Sequence, residues 1–283
     1  MKPAPFQYAR PDSVEEAVRL LTSDEDAKAI AGGQSLVPMM NFRMARPSLL
    51  VDVTRIPDLA ELRREGDELV VGAAVRQRVA ERSPVVREAC PLVPQALHWV
   101  GHPQIRARGT FGGSLAHADP GSELCALAVA LDATLVAVGP EGRREIPASE
   151  FFFAPYMTSL EEGELLVQAR LPTLDGARSA FHEIARRAGD FAVAGAAVAV
   201  WGEPGGAVGE ARLAGLGVGG TVLRLHAAEE ALRGNALDDA TIAAAGDAAA
   251  AECDPSSDLH GDADTRRAAL KATVEGALRE VAA

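Results

Sequence analysis

Cysteine is scarce in this 283-residue chain. Cys90, Cys125 and Cys253 are odd in number, far apart and never in a C-x-x-C pair. A disulfide framework is thereby excluded, and a reducing compartment fits. Three thiols also cannot supply the four ligands of an iron–sulfur cluster, so any electron handling on this chain falls to an organic cofactor. Long apolar runs are missing too: the longest, Phe191 to Trp201, is well short of a membrane span. The start, Met1-Lys2-Pro3-Ala4-Pro5-Phe6, has no apolar h-region, and the expectation is a cytoplasmic protein. Positive charge is in deficit, with 28 Lys and Arg against 40 Asp and Glu and a net charge of −12. No basic stripe remains to grip a nucleic acid. Low-complexity tracts and solenoid-period repeats are absent as well.

What is present suits an ordered protein with a real core. Apolar residues make up 48% and charged residues 24% of the chain, and the length allows one or two domains. Ser13 and Glu16 form a capping box, and Val14, Ala17, Val18 and Leu21 recur at helical spacing, so a helix is predicted over Ser13–Leu21. It lies between strands at Phe6–Tyr8 and Ala27–Ala31, a βαβ unit whose second strand ends on glycines. A helix carrying Met39 and Met40 and a strand at Leu49–Val53 complete a small α/β lobe near residue 55.

A second lobe opens with a hairpin around Glu65-Gly66-Asp67 and continues in helices to Trp99. Strands at Thr134–Val138, Arg143–Ile146 and Glu164–Leu171 bring it to about Thr173. The remainder, from Leu174, is predicted as strands at Ala192–Val200 and Ala211–Val218, then helices at Ala227–Arg233, Asp238–Glu252 and Asp264–Val281. The expected domains are therefore 1–173, with lobes of about 1–55 and 56–173, and 174–283.

Two glycine-bearing turns carry the functional signal. They are Ala31-Gly32-Gly33-Gln34-Ser35-Leu36 and Thr110-Phe111-Gly112-Gly113-Ser114-Leu115. Paired glycines lack the Cβ atoms that hold a backbone away from a ligand, so successive N–H groups can close on phosphate oxygens. Ser35, Thr110 and Ser114 add hydroxyls, and each turn leads toward a helix whose N-terminus favours an anion. Either pair alone reads as a tight turn; together they suggest a diphosphate clamp, with a dinucleotide as its guest.

Other motifs weigh less. Gly215-Leu216-Gly217-Val218-Gly219-Gly220 is a literal G-x-G-x-x-G, but no second parallel strand follows to end in an acidic residue, and it reads as a flexible turn. His98 and His102 stand at i, i+4 without a third metal ligand or the Glu of H-E-x-x-H. No metal site is expected. Ser35 and Ser114 are not in G-x-S-x-G elbows. His117 and Asp119 read as loop-shaping rather than as a base and its orienter, and no catalytic dyad is expected. Phe151-Phe152-Phe153 reads first as core or subunit contact.

The run from Gly101 to Pro120 makes the sequence resemble the FAD-binding subunits of molybdenum hydroxylases, the family of carbon monoxide dehydrogenase medium subunits and the flavin domain of xanthine dehydrogenase. The shared features are A-G-G-x-S-L, I-R-x-x-G-T-x-G-G-S/N-x-A-H-A-D-P, Glu161–Leu166, Ala185–Ala192 and the late His260-Gly261-x-Ala263-x-x-Arg266-Arg267 box. The resemblance implies an α+β protein: a two-lobed FAD-binding fold of the PCMH/vanillyl-alcohol-oxidase type, then an α+β C-terminal domain. It implies that Ala31, Gly32, Gly33, Gln34, Ser35 and Leu36, with Thr110, Phe111, Gly112, Gly113 and Ser114, hold the pyrophosphate and adjoining flavin atoms. Glu123 stands where many relatives have an Asp that bonds the flavin's sugar-like chain, and Leu166 where an apolar residue packs on the cofactor. His182 and Glu183 stand where some relatives carry a Lys near the pyrimidine end of the flavin, His182 being the preferred contact.

The implied function is electron transfer. A large partner would oxidise substrate at a molybdenum–pterin centre, a small partner with two [2Fe–2S] clusters would relay electrons, and FAD on this chain would pass them to an external acceptor, in a dimer of heterotrimers. Two alternatives stay open on the residues: a self-sufficient flavin oxidoreductase with His182 in its substrate pocket, and a flavin-free scaffold subunit.

Overall fold

The computed structural model describes every residue, Met1–Ala283. It opens with β1 (Gln7–Ala9), α1 (Val14–Thr22), β2 (Lys28–Ile30), α2 (Leu36–Asn41) and β3 (Leu49–Asp52). The Ser13 hydroxyl caps α1, accepting the Glu16 N–H at 3.2 Å. The Glu16 carboxylate reaches back to the Asp12 N–H at 3.0 Å, one residue upstream of the bond expected in a capping box. Val14, Ala17, Val18 and Leu21 face inward, as their spacing requires. The βαβ unit is present with one change: the parallel order is β1-β3-β2, so β3 lies between the two strands joined through α1. The carboxyl ends of all three strands share one edge, where parallel sheets gather ligands, and β2 delivers Ala31 to it.

A 3₁₀ turn at Pro57–Ala60 precedes the hairpin β4 (Leu62–Glu65) and β5 (Glu68–Gly72). Six helices follow: α3 (Gln77–Arg82), α4 (Pro84–Ala89), α5 (Leu92–Trp99), α6 (Pro103–Arg108), α7 (Phe111–His117) and α8 (Glu123–Ala130). Then come β6 (Thr134–Gly139), β7 (Gly142–Pro147), α9 (Ala148–Phe151), the small hairpin β8 (Phe152–Ala154) and β9 (Met157–Thr158), and β10 (Leu165–Pro172). The second sheet has the antiparallel order β4-β5-β10-β6-β7. A bulge between Leu166 and Gln168 shifts the alternation of the central strand by one residue. Leu166, Ala169 and Leu171 therefore enter the main core, while Leu165 and Val167 enter the core beneath α1. That second core joins Val14, Ala17, Leu49 and Val51 to Val136, Leu165 and Val167, so the two lobes share an interior.

The rest of the chain is β11 (Ala177–Ala185), β12 (Ala192–Trp201), β13 (Glu210–Leu216), β14 (Leu223–Arg224), α10 (His226–Leu232), α11 (Asp239–Glu252) and α12 (Ala263–Ala282). The strands form one antiparallel sheet in sequence order. β11 is absent from the sequence-based expectation, and its mixed polar and apolar residues explain why. Each face meets a different core: Phe181 joins the core containing α5 and α8, and Ala180 the core containing α11 and α12. β12 is sandwiched in the same way, with Ala197 and Ala199 on one side and Ala196, Val198 and Val200 on the other. Its small residues let helices approach both faces closely. The G-x-G-x-x-G segment falls where β13 turns back into antiparallel β14, so no Rossmann crossover exists there.

Candidate functional site

The first glycine turn leaves β2 at the carboxyl edge of the parallel sheet and runs into α2. The backbone N–H groups of Gly32, Gly33, Gln34, Ser35 and Leu36 donate to no acceptor in the protein. Gly33 takes φ +72°, a left-handed conformation that turns the successive N–H groups into a nest. Ser35 is the residue before α2, yet its hydroxyl makes no capping bond and stays available. The Gln34 side chain closes the turn from behind, donating to the Gly32 carbonyl at 3.0 Å.

The second glycine segment is built differently from the expectation. It is the opening of helix α7, and its N–H groups are already engaged. Phe111 donates to the Val75 carbonyl at 2.9 Å, Gly112 to Ala73 at 3.0 Å, and Ser114 to Thr110 at 3.2 Å. Thr110 is buried and its hydroxyl caps α7, accepting the Gly113 N–H at 3.1 Å. The physical reason is that the 108–112 segment runs beside residues 73–77, which take its donors as a neighbouring strand would. The segment is thus a floor rather than a second row of donors. Phe111 is sealed in the main core, and Leu166, on the strand beside α7, is only 4% exposed in that core.

The two segments do converge. A Cβ on Gly32 would stand 2.5 Å from the Arg108 carbonyl oxygen and 2.7 Å from Gly109 Cα. One on Gly112 would stand 2.4 Å from Ala73 Cβ, and one on Gly113 comes within 3.9 Å of Ala31 Cβ. The donor row therefore rests directly on the backbone entering α7.

From this clamp a line of polar groups leads toward the third sheet. The Ser114 and Ser122 hydroxyls meet at 3.1 Å, and Ser122 precedes Glu123, the first residue of α8. The loop before α8 is tied to the C-terminal sheet by the Gly217 N–H, which donates to the Pro120 carbonyl at 2.8 Å. Glu183 of β11 lies on the same face of its strand as Phe181, which joins the core of α5 and α8. It is 7% exposed, and neither carboxylate oxygen has a hydrogen-bond partner. Burial raises its pKa to about 8, with the charge of Glu123 adding to the effect. Burial likewise raises Glu123 to about 7, and Asp119 adds to this, while the backbone N–H at Glu123 and the charge of Arg106 oppose it.

His182 is not brought to this site. Alternation along β11 turns it to the opposite face, where its ring packs over Gly276 of α12 and its Nε2 meets the Glu280 carboxylate at 2.7 Å. Glu183 is the residue of that pair on the side of Phe181, away from α12. His117 lies beside Tyr156 with ring centroids 5.2 Å apart, and burial lowers its pKa against the opposing pull of Asp119. Asp119 accepts the Gly121 N–H at 2.9 Å, the loop-shaping role expected of it.

Two features carried no sequence signal. Arg76 donates to the Arg108 carbonyl beneath Gly32, which places a guanidinium under the clamp. Asp52, at the end of β3, accepts from Thr54 N–H at 2.9 Å and from the Tyr8 hydroxyl at 2.5 Å. Burial pushes its pKa up, but these bonds outweigh it and hold the carboxyl below the usual range. No group of three or more His, Cys, Asp or Glu side chains could hold a metal ion, and no helix is long and apolar enough to cross a membrane. A groove of about 520 Å³ on the far face, near Glu15, Asp58, Arg63 and Arg170, is not the clamp. Of its three arginines, Arg63 and Arg170 are already paired with carboxylates and Arg143 donates to the Gln168 side chain at 3.4 Å.

A donor nest at the edge of a parallel sheet, floored by a glycine-bearing helix start in a second lobe, defines the class: a two-lobed, FAD-binding α+β fold. Residues 4–174 match the family described as the FAD binding domain in molybdopterin dehydrogenase, and residues 179–281 match the CO dehydrogenase flavoprotein C-terminal domain. The chain belongs to this family of FAD-binding molybdenum hydroxylase subunits, and it is an oxidoreductase chain. It is 44% identical to the alpha subunit of the 6-hydroxypseudooxynicotine dehydrogenase complex of Paenarthrobacter nicotinovorans, over 98% of this chain and 95% of that one. It is 43% identical to the carbon monoxide dehydrogenase medium chain of Hydrogenophaga pseudoflava, over 98% and 97%. Among solved structures, carbon monoxide dehydrogenase from Hydrogenophaga pseudoflava superposes with a TM-score of 0.95 at 44% identity, covering 99% of this chain and 98% of that one. Quinoline 2-oxidoreductase from Pseudomonas putida 86 superposes with a TM-score of 0.96 at 37% identity, covering 100% and 98%. The residues present fit FAD: a row of free N–H groups for its diphosphate and the uncommitted Ser35 hydroxyl beside it.

Proposed function

We propose that this chain is the FAD-carrying electron-transfer subunit of a heteromeric molybdenum hydroxylase. The observation that carries the reading is the uncommitted N–H row from Gly32 to Leu36, seated on the backbone at Arg108–Gly109. FAD, when bound, supplies reversible electron storage. The chain's own residues bind and orient it. The donor row and the Ser35 hydroxyl take the diphosphate, with Ala31, Gly112 and Gly113 shaping the walls. Thr110 and Phe111 hold α7 in place, Ser114 and Glu123 lie along the sugar-like chain, and Leu166 backs α7 from the core. Substrate oxidation belongs to a large molybdenum–pterin partner. Two [2Fe–2S] clusters on a small partner deliver electrons, and an external acceptor removes them. A dimer of two heterotrimers in the cytoplasm suits this role, and three buried free cysteines suit the compartment.

A self-sufficient flavin oxidoreductase would need a titratable residue offered to substrate, and the candidate for that, His182, is turned against Glu280. A flavin-free scaffold gives no reason for a row of unpartnered N–H groups. The test is cofactor and metal analysis of the chain purified with the subunits that accompany it. About one FAD, one molybdenum and four irons per chain are expected. A colourless chain that takes up no added FAD, alone or in its complex, refutes the reading.

A further inference from the structure

Residues 1–11 and 27–51 contain no Asp or Glu, although the chain has 40. The second stretch includes the donor row, α2 and the loop that follows it. α2 is apolar from Leu36 to Met40, yet only Met40 is buried. Val37 is 41% exposed, and just past the helix Phe42 and Met44 are 70% and 75% exposed. Cations flank this uncovered surface. Arg43 donates to the Lys2 carbonyl at 3.3 Å and Arg46 to the Arg43 carbonyl at 3.0 Å, and none of Lys2, Arg43 and Arg46 pairs with a carboxylate. The other strongly exposed apolar side chains differ in this respect: Phe191 follows Asp190, and Leu259 follows Asp258. Arg43 also takes φ +58°, a left-handed conformation that residues with a side chain normally avoid. Strain of this kind collects where a surface has work to do.

We propose that the face formed by α2, the 42–46 loop and Lys2 is the seat of a permanently bound, acidic iron–sulfur partner, the electron donor of the proposed complex. The inference rests on that reading for the partner's existence. Arg, Met and aromatic side chains make up the centre of lasting protein interfaces, whereas transient electron-transfer contacts are small. The unpaired guanidiniums call for carboxylates in the partner's rim. An iron–sulfur group held by thiolates is itself an anion, so the same field favours it. α2 starts at Leu36, the last of the donor row, and its six residues span about 9 Å. A protein seated on Val37 and Phe42 therefore lies beside the cofactor it must serve. A second copy of this chain does not suit the face, because a symmetric pair of acid-free surfaces sets guanidinium against guanidinium. An anionic membrane suits it no better: lipid-binding basic clusters are larger, and the chain as a whole, at a net charge of −12, is repelled.

The experiment uses the full chain purified with its accompanying subunits. With Phe42 replaced by the photo-reactive p-benzoylphenylalanine, illumination is expected to cross-link this chain to the subunit that carries the iron, identified by mass. Gel filtration over dilution and salt series then compares wild type with Phe42→Ser and with the double variant Arg43→Glu, Arg46→Glu. Both are expected to weaken binding of the iron–sulfur subunit by about tenfold or more, the charge reversal most strongly at low salt. FAD content is expected to stay at the wild-type level. Arg43→Gly separates docking from folding: it relieves the left-handed strain, so the melting temperature of the chain should hold while the partner binds more weakly. A cross-link from position 42 to the large partner or to a second copy overturns the assignment. So does an intact complex that gives no cross-link, or variants that keep the iron–sulfur subunit as wild type does. Sedimentation of wild type with phosphatidylglycerol vesicles, lost in the double variant, assigns the face to a membrane and overturns it as well. A chain that purifies with no iron-bearing partner instead overturns the proposed function, and this inference with it. Iron content measured before cross-linking tells the two failures apart.

Discussion

Replacing Gly32 by alanine tests the clamp at its tightest contact. The added methyl would lie 2.5 Å from the Arg108 carbonyl oxygen, 2.7 Å from Gly109 Cα and 3.0 Å from the Arg108 carbonyl carbon. All three atoms are backbone, so no side chain can rotate away. The turn and the 108–109 segment must part, and such overpacking costs about 1–3 kcal/mol. If that cost falls on the geometry that binds the ligand, FAD affinity drops by about 5- to 150-fold. The control is Gly220→Ala, in the G-x-G-x-x-G segment, where the new methyl meets nothing nearer than Pro155 Cδ at 3.9 Å. FAD retained after ultrafiltration, read by absorbance, is expected to fall sharply for Gly32→Ala and to match wild type for Gly220→Ala. The reasoning is refuted if Gly32→Ala keeps its FAD while Gly220→Ala loses it.

Other perturbations reach different parts of the molecule. Thr110→Ala removes the cap of α7 and is expected to cost about 0.5–2 kcal/mol in denaturant unfolding, whereas Thr110→Ser retains the bond. Arg266→Ala leaves Asp258 and the Val193 and Gly217 carbonyls without their donor, and a loss of about 3 kcal/mol is expected by the same assay. Cys90 and Cys125 are sealed in the core, and burial pushes both thiols up to about 12. A thiol reagent at neutral pH should leave them unmodified until denaturant is added. Glu183 has a folded pKa raised well above the ordinary glutamate value of 4.5, so its contribution to stability is complete below that value and is lost as pH rises toward about 8. Glu183→Gln should therefore melt above wild type at pH 9, with the gap closing at pH 5; a gap that does not change with pH would show that Glu183 does not titrate in this range.

Much of the architecture was legible because its signals are local. Ser13 with the apolar stripe of α1, the glycine-centred hairpins and the alanine-rich C-terminal helices each follow from spacing within a few residues. β11 was not legible, since Ser179 and Glu183 on one face and Arg178 and His182 on the other erase the apolar–polar alternation of a half-buried strand. The order β1-β3-β2 was equally hidden, because strand neighbours depend on how α1 crosses the sheet. At the site, both glycine segments were visible but their division of labour was not. Thr110 to Ser114 can be recognised as a floor only once residues 73–77 are seen to take the N–H groups of Phe111 and Gly112. His182 and Glu183 are neighbours in the chain, and alternation guarantees that only one of them lies on the side of Phe181. Which one depends on how the sheet docks, which no periodicity in β11 encodes.

The donor row and its floor come from distant stretches of chain and from different sheets, and they meet without a covalent tie. A dinucleotide lying on both would add a second tie to the interior that the two lobes already share. Added FAD should then raise the melting temperature by mass action, on top of what that shared core contributes. The flavin that stays with the protein after filtration would thus serve as a gauge of whether the contact between donor row and floor is intact.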